Sequence, residues 1–390
     1  MQKGKAMKVS GTVGNVQLMQ RINRARVIEC IRRCGTATRP ALAADTGLSL
    51  SSITNLCNYL LERGYIRECA AFESGKPGRR ASLLGLDDQR FRIACVVAEA
   101  DWMRASLMTL SGREVVSVDL PGPPPTGQAA VSSVLELLEA LRDRSDGELL
   151  CVAASVPGLV LDRGQSVTSV ALKWSGVDLR GPMSGIAPTA VCIQNASIAR
   201  AIRIRAAIRS DHPHNALFLD LANGIGAVHF SEAVLDPTFL GELGHVTADI
   251  HGERCFCGNC GCLELYCSPA RIAADFGAGS YADVLAADAA GDSRARAALT
   301  RGGRYLGAAL VTLIQLYAPD VIYINGHELL RSRIVAETAE QYARTHAYPQ
   351  LVRRAFFRYV DLDAQATLGG LLDYALDRLF DVESSSCILE

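Results

Sequence analysis

Residues 241–264 read GELGHVTADIHGERCFCGNCGCLE, and this stretch carries more information than any other part of the chain. It contains four closely spaced cysteines: Cys255, Cys257, Cys260 and Cys262. His245 precedes them, and thiolate and imidazole groups at such spacing suit a tetrahedral zinc ion. Glu242 and Glu264 flank the cluster, where carboxylates can accept hydrogen bonds from a polar ligand. The stretch predicts a metal-stabilised loop beside a candidate binding site.

The chain has 390 residues, of which 49% are hydrophobic, so two or three structural units with sizeable cores are expected. No uninterrupted apolar run reaches the roughly 18 residues of a membrane span. The basic N-terminal segment lacks a following apolar stretch, so we expect no secretory signal and no membrane partner. Other cysteines stand singly among apolar residues, as Cys95, Cys151 and Cys192 do, which indicates a reducing, cytoplasmic location.

The charge is distributed unevenly. Residues 1–80 contain 14 Lys and Arg against 5 Asp and Glu, an excess of nine positive charges. The net charge is −1, so the remaining residues carry an excess of ten negative charges. A basic head on an acidic body indicates a polyanionic partner for the head alone.

Helix signals recur in this basic head. Thr38 can cap a short helix that ends at Gly47, and Ser49 can cap a second helix over residues 49–63. One face of the second helix is apolar: Ile53, Leu56, Cys57, Leu60 and Leu61. The other face is polar and uncharged: Ser51, Ser52, Thr54, Asn55 and Asn58. Two helices joined by a tight turn, the second with side chains that can reach base edges, are typical of a DNA-binding helix-turn-helix.

A basic hairpin follows these helices. Residues 65–69 and the run ending at Leu86 are predicted strands on either side of GKPGRR, residues 75–80. Lys76, Arg79 and Arg80 would contact phosphate or enter the minor groove, as a wing does. We therefore predict a winged helix-turn-helix domain over residues 1–88, with a basic N-terminal arm and double-stranded operator DNA as its partner. A helical docking module with a solvated basic loop is the alternative.

Residues 89–390 read as an α/β body. The predicted strands are residues 92–97, 104–109, 115–120, 149–155, 191–193, 216–221, 227–230 and 321–324. The predicted helices are residues 131–142, 196–208, 304–317 and about 369–380. Because a set of strands followed by helices occurs twice, we expect two lobes with a cleft between them.

The chain resembles the ROK family of repressors, open reading frames and sugar kinases, in its repressor branch, over nearly its whole length. The motifs that carry the resemblance are residues 78–80 (GRR), 155–158 (SVPG), 241–245 (GELGH), 255–264 (CFCGNCGCLE) and 318–320 (APD) before a strand ending in Gly326. The resemblance implies an actin-like, two-lobed sugar-kinase fold that is commonly dimeric or tetrameric.

The resemblance also shows where this chain departs from the kinases. Kinases of the family use an Asp as the base that deprotonates the sugar. Asn195 stands at that position here, or Ala196 if the alignment shifts by one residue, and neither side chain can accept the proton. Their first phosphate-binding turn is glycine-rich, whereas residues 98–102 read AEADW. The second turn keeps Gly224 and Gly226. An amide cannot accept the proton, and a turn without glycine cannot approach a phosphate closely, so we expect no catalytic residues and no enzymatic activity.

The resemblance assigns the ligand and metal residues. The predicted sugar ligands are Asn195, Glu242, His245 and Glu264. The predicted ligands of a structural Zn²⁺ are His245, Cys255, Cys257 and Cys262. An all-cysteine site with Cys260 in place of His245 is the chemical alternative. For Glu242 and Glu264, structural salt-bridge or capping roles without any ligand are the alternative.

The most consistent interpretation is a sugar-responsive DNA-binding transcriptional regulator, most simply a repressor, with a zinc-stabilised and inactive kinase-like body that forms a homodimer or tetramer. A sugar kinase with an accessory DNA-binding head and a ligand-independent DNA-binding regulator remain alternatives.

Overall fold

The computed structural model describes residues 13–71, 82–187, 190–211, 213–222, 224–231, 234–239, 241–326, 328–382, 384 and 387–389. The predicted wing residues Lys76, Arg79 and Arg80 lie outside the described residues, so their contacts with DNA stay a prediction.

The head contains three helices and three strands within the described residues. In chain order they are α1 (Val13–Cys34), β1 (Thr36–Thr38), α2 (Arg39–Thr46), α3 (Leu50–Glu62), β2 (Ile66–Ala71) and β3 (Ser82–Leu86). The strands form an antiparallel sheet in the order β1-β3-β2. The sequence indicated α2, α3 and the pair β2–β3, whereas β1 was missed.

The first lobe of the body follows after residues 87–90, which contain the predicted domain boundary. Its elements are β4 (Phe91–Ala98), β5 (Met103–Met108), β6 (Glu114–Leu120), α4 (Gln128–Arg142), β7 (Glu148–Val156), β8 (Leu159–Leu161), β9 (Ser166–Ser169), β10 (Trp174–Val177), α5 (Arg180–Met183) and β11 (Val191–Asn195). The main sheet has the order β11-β7-β4-β5-β6, and β8, β9 and β10 form a small antiparallel sheet.

The second lobe repeats this pattern. Its elements are α6 (Ala196–Ile202), α7 (Arg205–Asp211), β12 (Asn215–Asp220), β13 (Gly226–Ser231), β14 (Val234–Phe239), α8 (Glu264–Cys267), α9 (Pro269–Phe276), α10 (Tyr281–Ala289), α11 (Ser293–Tyr317), β15 (Val321–Asn325), α12 (Arg333–His346), α13 (Pro349–Val352), β16 (Phe356–Val360) and α14 (Ala364–Phe380). Its sheet has the order β14-β13-β12-β15-β16.

The two main sheets share one topology. In each, an antiparallel meander of three strands is extended by two parallel strands on the side of its first strand. Helix α14 then returns to pack on β4 and β7 of the first lobe. This duplication confirms the predicted two-lobed α/β body, with the cleft where the strands of both lobes end.

Some boundaries differ from the sequence predictions. The single helix expected over residues 196–208 is two helices, because Arg203 and Ile204 make hydrogen bonds to residues three positions back that end α6. Helix α11 starts at Ser293 rather than at Arg304, since Asp292 caps it.

The head and the first lobe share one hydrophobic core. Tyr65 stacks on Phe91 with ring centroids 5.3 Å apart, and its ring edge meets Phe380. The Tyr65 hydroxyl donates to the Ile388 carbonyl at 3.1 Å, and the following Leu389 is fully buried. The end of the chain therefore holds the head against the body.

Among the described residues, none of the helices has the length and apolar character required to cross a membrane.

Candidate functional site

Helix α3 is positioned by local capping. The Thr38 hydroxyl accepts from the Ala41 amide and caps α2, which ends at Gly47 in the left-handed conformation. The Ser49 hydroxyl caps α3 by accepting from the Ser52 amide at 3.2 Å. Such caps stabilise a helix by about 1 kcal/mol each, so the turn between the two helices is fixed by residues within it.

The exposed face of α3 carries the predicted base-contacting residues. Ser51, Ser52, Asn55 and Asn58 are exposed, and Thr54 is half-buried. The Ser51 and Ser52 hydroxyls contact Ser49, and Thr54 donates to the Leu50 carbonyl. Within the described part of the chain, the side chains of Asn55 and Asn58 have no hydrogen bond. These two amides are therefore free to reach base edges.

A cleft of about 360 Å³ separates the two lobes of the body. The four predicted sugar ligands all line it: Asn195, Glu242, His245 and Glu264. The second glycine turn, at Gly224 and Gly226, forms part of the same wall. This volume lies in the range of small-molecule sites.

Asn195 is a helix cap that also joins two elements. Its Oδ1 accepts from the amides of Ser197 and Ile198, and its Nδ2 donates to the Gly158 carbonyl at 2.7 Å. Gly158 has φ +96°, and a Cβ there would lie 2.4 Å from the Thr168 carbonyl oxygen, so only glycine fits. One Nδ2 hydrogen of Asn195 remains for a ligand.

Arg200 forms a buried charge cluster at the base of the cleft, which the sequence analysis missed. Its guanidinium donates to Asp220 Oδ2 at 2.8 Å and to Glu99 Oε1. The exposed fractions of the Arg200, Glu99 and Asp220 side chains are 6%, 2% and 3%. Burial opposes the charged form of Arg200, yet the two carboxylates raise its pKa above the ordinary value. The sequence feature that could have indicated this cluster is an arginine within the otherwise apolar run of α6.

Glu242 and Glu264 are partly buried carboxylates that face this cleft. Burial raises the pKa of Glu242 above that of a solvated glutamate, opposed by His245 and reinforced by Glu264. Burial likewise raises the pKa of Glu264, with His245 acting against it. Among the described residues, Glu242 Oε1 is buried without any hydrogen-bond partner. A buried acceptor without a donor is costly, so this oxygen is suited to a ligand hydroxyl or amine.

The predicted metal ligands lie together at the edge of the cleft. One ligand atom each from His245, Cys255, Cys257 and Cys262 lies within 4.8 Å of the others. Cys255 Sγ is 3.6 Å from His245 Nδ1, and Cys257 Sγ is 3.6 Å from Cys262 Sγ. Zn–S bonds of about 2.3 Å place tetrahedral ligand atoms about 3.8 Å apart, so the spacing fits zinc.

The loop backbone brings these ligands together. The Gly261 amide donates to the Glu253 carbonyl at 2.7 Å, and the Cys255 amide donates to the Asn259 carbonyl at 2.8 Å. At Gly261 a Cβ would lie 1.7 Å from the Asp249 carbonyl oxygen. Cys260 is exposed and does not belong to the four-residue group found within the described residues.

A two-lobed body with a repeated sheet, a cleft and a helix-turn-helix head defines a class of multidomain protein built on the actin-like sugar-kinase fold. Residues 94–376 match the ROK family and residues 24–68 match the IclR helix-turn-helix domain. The chain therefore belongs to the ROK family, as its motifs indicated.

Proteins similar to this chain include a repressor, a transcriptional regulator and a sugar kinase. The xylose repressor of Bacillus subtilis is 22% identical, covering 95% of this chain and 99% of its own. The structure of a ROK transcriptional regulator homologous to Escherichia coli MLC superposes with a TM-score of 0.75 at 24% identity, covering 94% of this chain and 98% of that one. A Streptomyces griseus glucokinase, solved with glucose and AMPPNP, has a TM-score of 0.58 at 18% identity, covering 73% and 98%.

Proposed function

We propose that this protein is a DNA-binding transcriptional regulator, and specifically a repressor, of sugar-related genes. The observation that carries the proposal is the exposed polar face of α3, which belongs to a helix-turn-helix attached to a ROK body. Relatives of this architecture include the xylose repressor. A small-molecule effector in the cleft would change the affinity of the head for operator DNA.

The head docks α3 into the major groove of double-stranded DNA. Asn55 and Asn58 read base edges, while Lys76, Arg79 and Arg80 contact the backbone from the wing. Ser51, Ser52 and Thr54 belong to the same polar face of α3 and complete the proposed base-contacting set. Self-association of the body into a homodimer or tetramer would place two heads on a palindromic operator and set the half-site spacing.

The cleft binds a sugar or sugar derivative. The support is the buried, unpartnered Glu242 Oε1 beside Glu264 and the remaining Nδ2 hydrogen of Asn195. His245 Nδ1 faces the cysteines, so Nε2 is left to bind a ligand hydroxyl. Donor and acceptor groups that converge in this way suit a polyol.

The role proposed for zinc is structural. Three thiolates and an imidazole complete a tetrahedral shell and leave no position for an activated water, so the ion would hold the loop of residues 241–264 in shape. Because His245 and Glu264 belong to this loop, the ion would also fix part of the sugar site.

We propose that the body does not phosphorylate its ligand. Asn195 is already committed as a helix cap and cannot accept a proton. Glu99 stands where a glycine turn would hold phosphate, and it contacts Arg200 instead. These features support sensing without chemistry.

A gel-shift titration of the purified protein against the DNA upstream of its own gene tests the regulator function. We expect specific binding whose affinity falls steeply with salt, and release of DNA on addition of a sugar. A log–log salt slope near zero would contradict the electrostatic docking. DNA binding that no sugar alters would favour the ligand-independent alternative.

The kinase alternative has support in the match of the body to the glucokinase fold. A coupled ATP-turnover assay with hexoses and N-acetylated hexosamines separates it from the regulator. Turnover that the substitution Glu242→Ala abolishes would establish the kinase and refute the assignment of Asn195.

A further inference from the structure

The charged groups of the cleft are strongly unbalanced. Carboxylates line it on both lobes: Glu99, Asp220, Glu242, Glu264 and Glu328. Arg200 is the one arginine or lysine among the lining residues that the structure describes, and its guanidinium pairs with the carboxylates of Glu99 and Asp220. The guanidinium charge is therefore already neutralised inside the protein, and the remaining field is negative.

Arg200 connects the two lobes, and this position also bears on which ligand the cleft can hold. Glu99 follows β4 of the first lobe, Asp220 ends β12 of the second, and Arg200 on α6 reaches both. These strand ends precede the two turns at which family kinases are expected to hold phosphate. Gly226 packs against α6 so closely that a Cβ would lie 2.5 Å from Ser197 Oγ. The guanidinium thus lies between the residues that precede the two turns.

Asp220 is further fixed by a neutral partner. Asn325 Nδ2 donates to Asp220 Oδ1 at 3.0 Å, and Asn325 is fully buried. Both oxygens of Asp220 therefore have partners, and its carboxylate is not available to rotate away from Arg200. An incoming phosphoryl group would have to displace Glu99 or Asp220 from the guanidinium, or stand beside both negative charges.

From this arrangement we infer the chemical class of the effector: an uncharged sugar, or an amino sugar carrying a positive charge, and not a phosphorylated or acidic sugar. A bound phosphoryl group would need a cation as its partner. The guanidinium of Arg200 is already paired with Glu99 and Asp220 and is not available for this purpose. The unpartnered Glu242 Oε1 is an acceptor for a hydroxyl or ammonium group and repels an anion. This inference rests on the proposed function, since it specifies the ligand of the same cleft.

Calorimetry on the full-length protein tests the inference with matched pairs. The probes are glucose, N-acetylglucosamine and glucosamine, each with its 6-phosphate, together with xylose. We expect each sugar that binds to have an affinity at least about a hundredfold higher than that of its 6-phosphate, because the phosphate group is repelled by several carboxylates. A 6-phosphate that binds as tightly as its parent sugar would overturn the inference while leaving sugar sensing intact.

A second arm does not depend on finding the sugar. The double substitution Glu99→Gln and Asp220→Asn keeps oxygens that accept from Arg200 but removes both charges, so inorganic phosphate should bind at least about tenfold more tightly than to the wild type. A folded variant that gains no phosphate affinity, or a wild type that binds phosphate equally well, would refute the assignment of Arg200. If no sugar binds the wild type, the proposed sensing fails, and this arm still tests whether the carboxylates around Arg200 exclude a phosphoryl group.

Discussion

Asn195 illustrates how one amide side chain can perform two structural tasks at the start of a helix. Its Oδ1 accepts from two helix amides and its Nδ2 donates to Gly158, so the side chain joins α6 to the loop after β7. A carboxylate could perform the first task but not the second, because it has no hydrogen to donate. The sequence was enough to single out Asn195, whereas its role as a helix cap became clear only from the structure.

Asn195→Asp should destabilise the protein without restoring chemistry. The new carboxylate oxygen would face the Gly158 carbonyl oxygen across a contact that is now 2.7 Å, at a cost of about 1–3 kcal/mol. Thermal unfolding should show the lower stability, and a coupled assay should show no sugar-dependent ATP turnover. Appearance of turnover in this single variant would mean that the phosphate-binding apparatus is intact after all.

Asn55 should contribute sequence preference rather than general affinity for DNA. It is exposed, so Asn55→Ala leaves the fold unchanged and should reduce operator affinity by about 1–3 kcal/mol, with little effect on random DNA. Arg79→Ala and Arg80→Ala should instead weaken binding to both DNAs alike. Parallel titrations of operator and random duplexes make the comparison. Equal losses on random DNA for all three variants would refute the division of roles.

At the scale of elements, the loop of residues 241–264 can be tested with two neighbouring cysteines. Cys257→Ser removes a member of the four-residue cluster and should lose the metal and lower the Tm of the body by more than about 5 °C. Cys260→Ser is the matched control and should keep both. Zinc content and thermal unfolding are the readouts. Loss of zinc in the Cys260 variant as well would show that Cys260 replaces His245.

Helix α3 was predictable from local signals, whereas two short strands were not. Helix α3 carries its own cap at Ser49 and an apolar face, so its sequence was sufficient. Strand β1 has three residues and is a strand only because it pairs with β3 nearly fifty residues later. Strand β16 is largely exposed and lacks the alternation that marks a strand, although it pairs in parallel with β15.

The residues of the candidate site also differ in how far they could be predicted from the sequence. Glu242, His245 and Glu264 lie within one motif, and the resemblance of that motif to the ROK family was enough to predict that they share one binding site. The partners of Arg200 lie 101 and 20 residues away, and only the folded chain brings them together. From the sequence, Glu99 could be interpreted only as part of a turn that lacks glycine.

At the scale of the whole molecule, one ion-pair network connects the cleft region to the head. Arg32 of α1 contacts Asp377 at 2.8 Å and Asp373 at 3.3 Å, both on α14. The same two aspartates pair with Arg203 and Arg205, which directly follow α6. Since Asn195 in the cleft caps the start of α6, a shift of this helix on ligand binding would change the contacts that hold α1.

Arg32→Ala should therefore uncouple the two ends of the molecule. We expect operator affinity and sugar affinity to stay within a few-fold of the wild type, while the effect of sugar on DNA binding, typically about 1–3 kcal/mol, largely disappears. Arg33→Ala is the control, because Arg33 is exposed and pairs with Asp45 inside the head. DNA titrations with and without saturating sugar measure the coupling. If Arg32→Ala responds to sugar as the wild type does, the signal reaches the head by another route, such as the Tyr65 contacts.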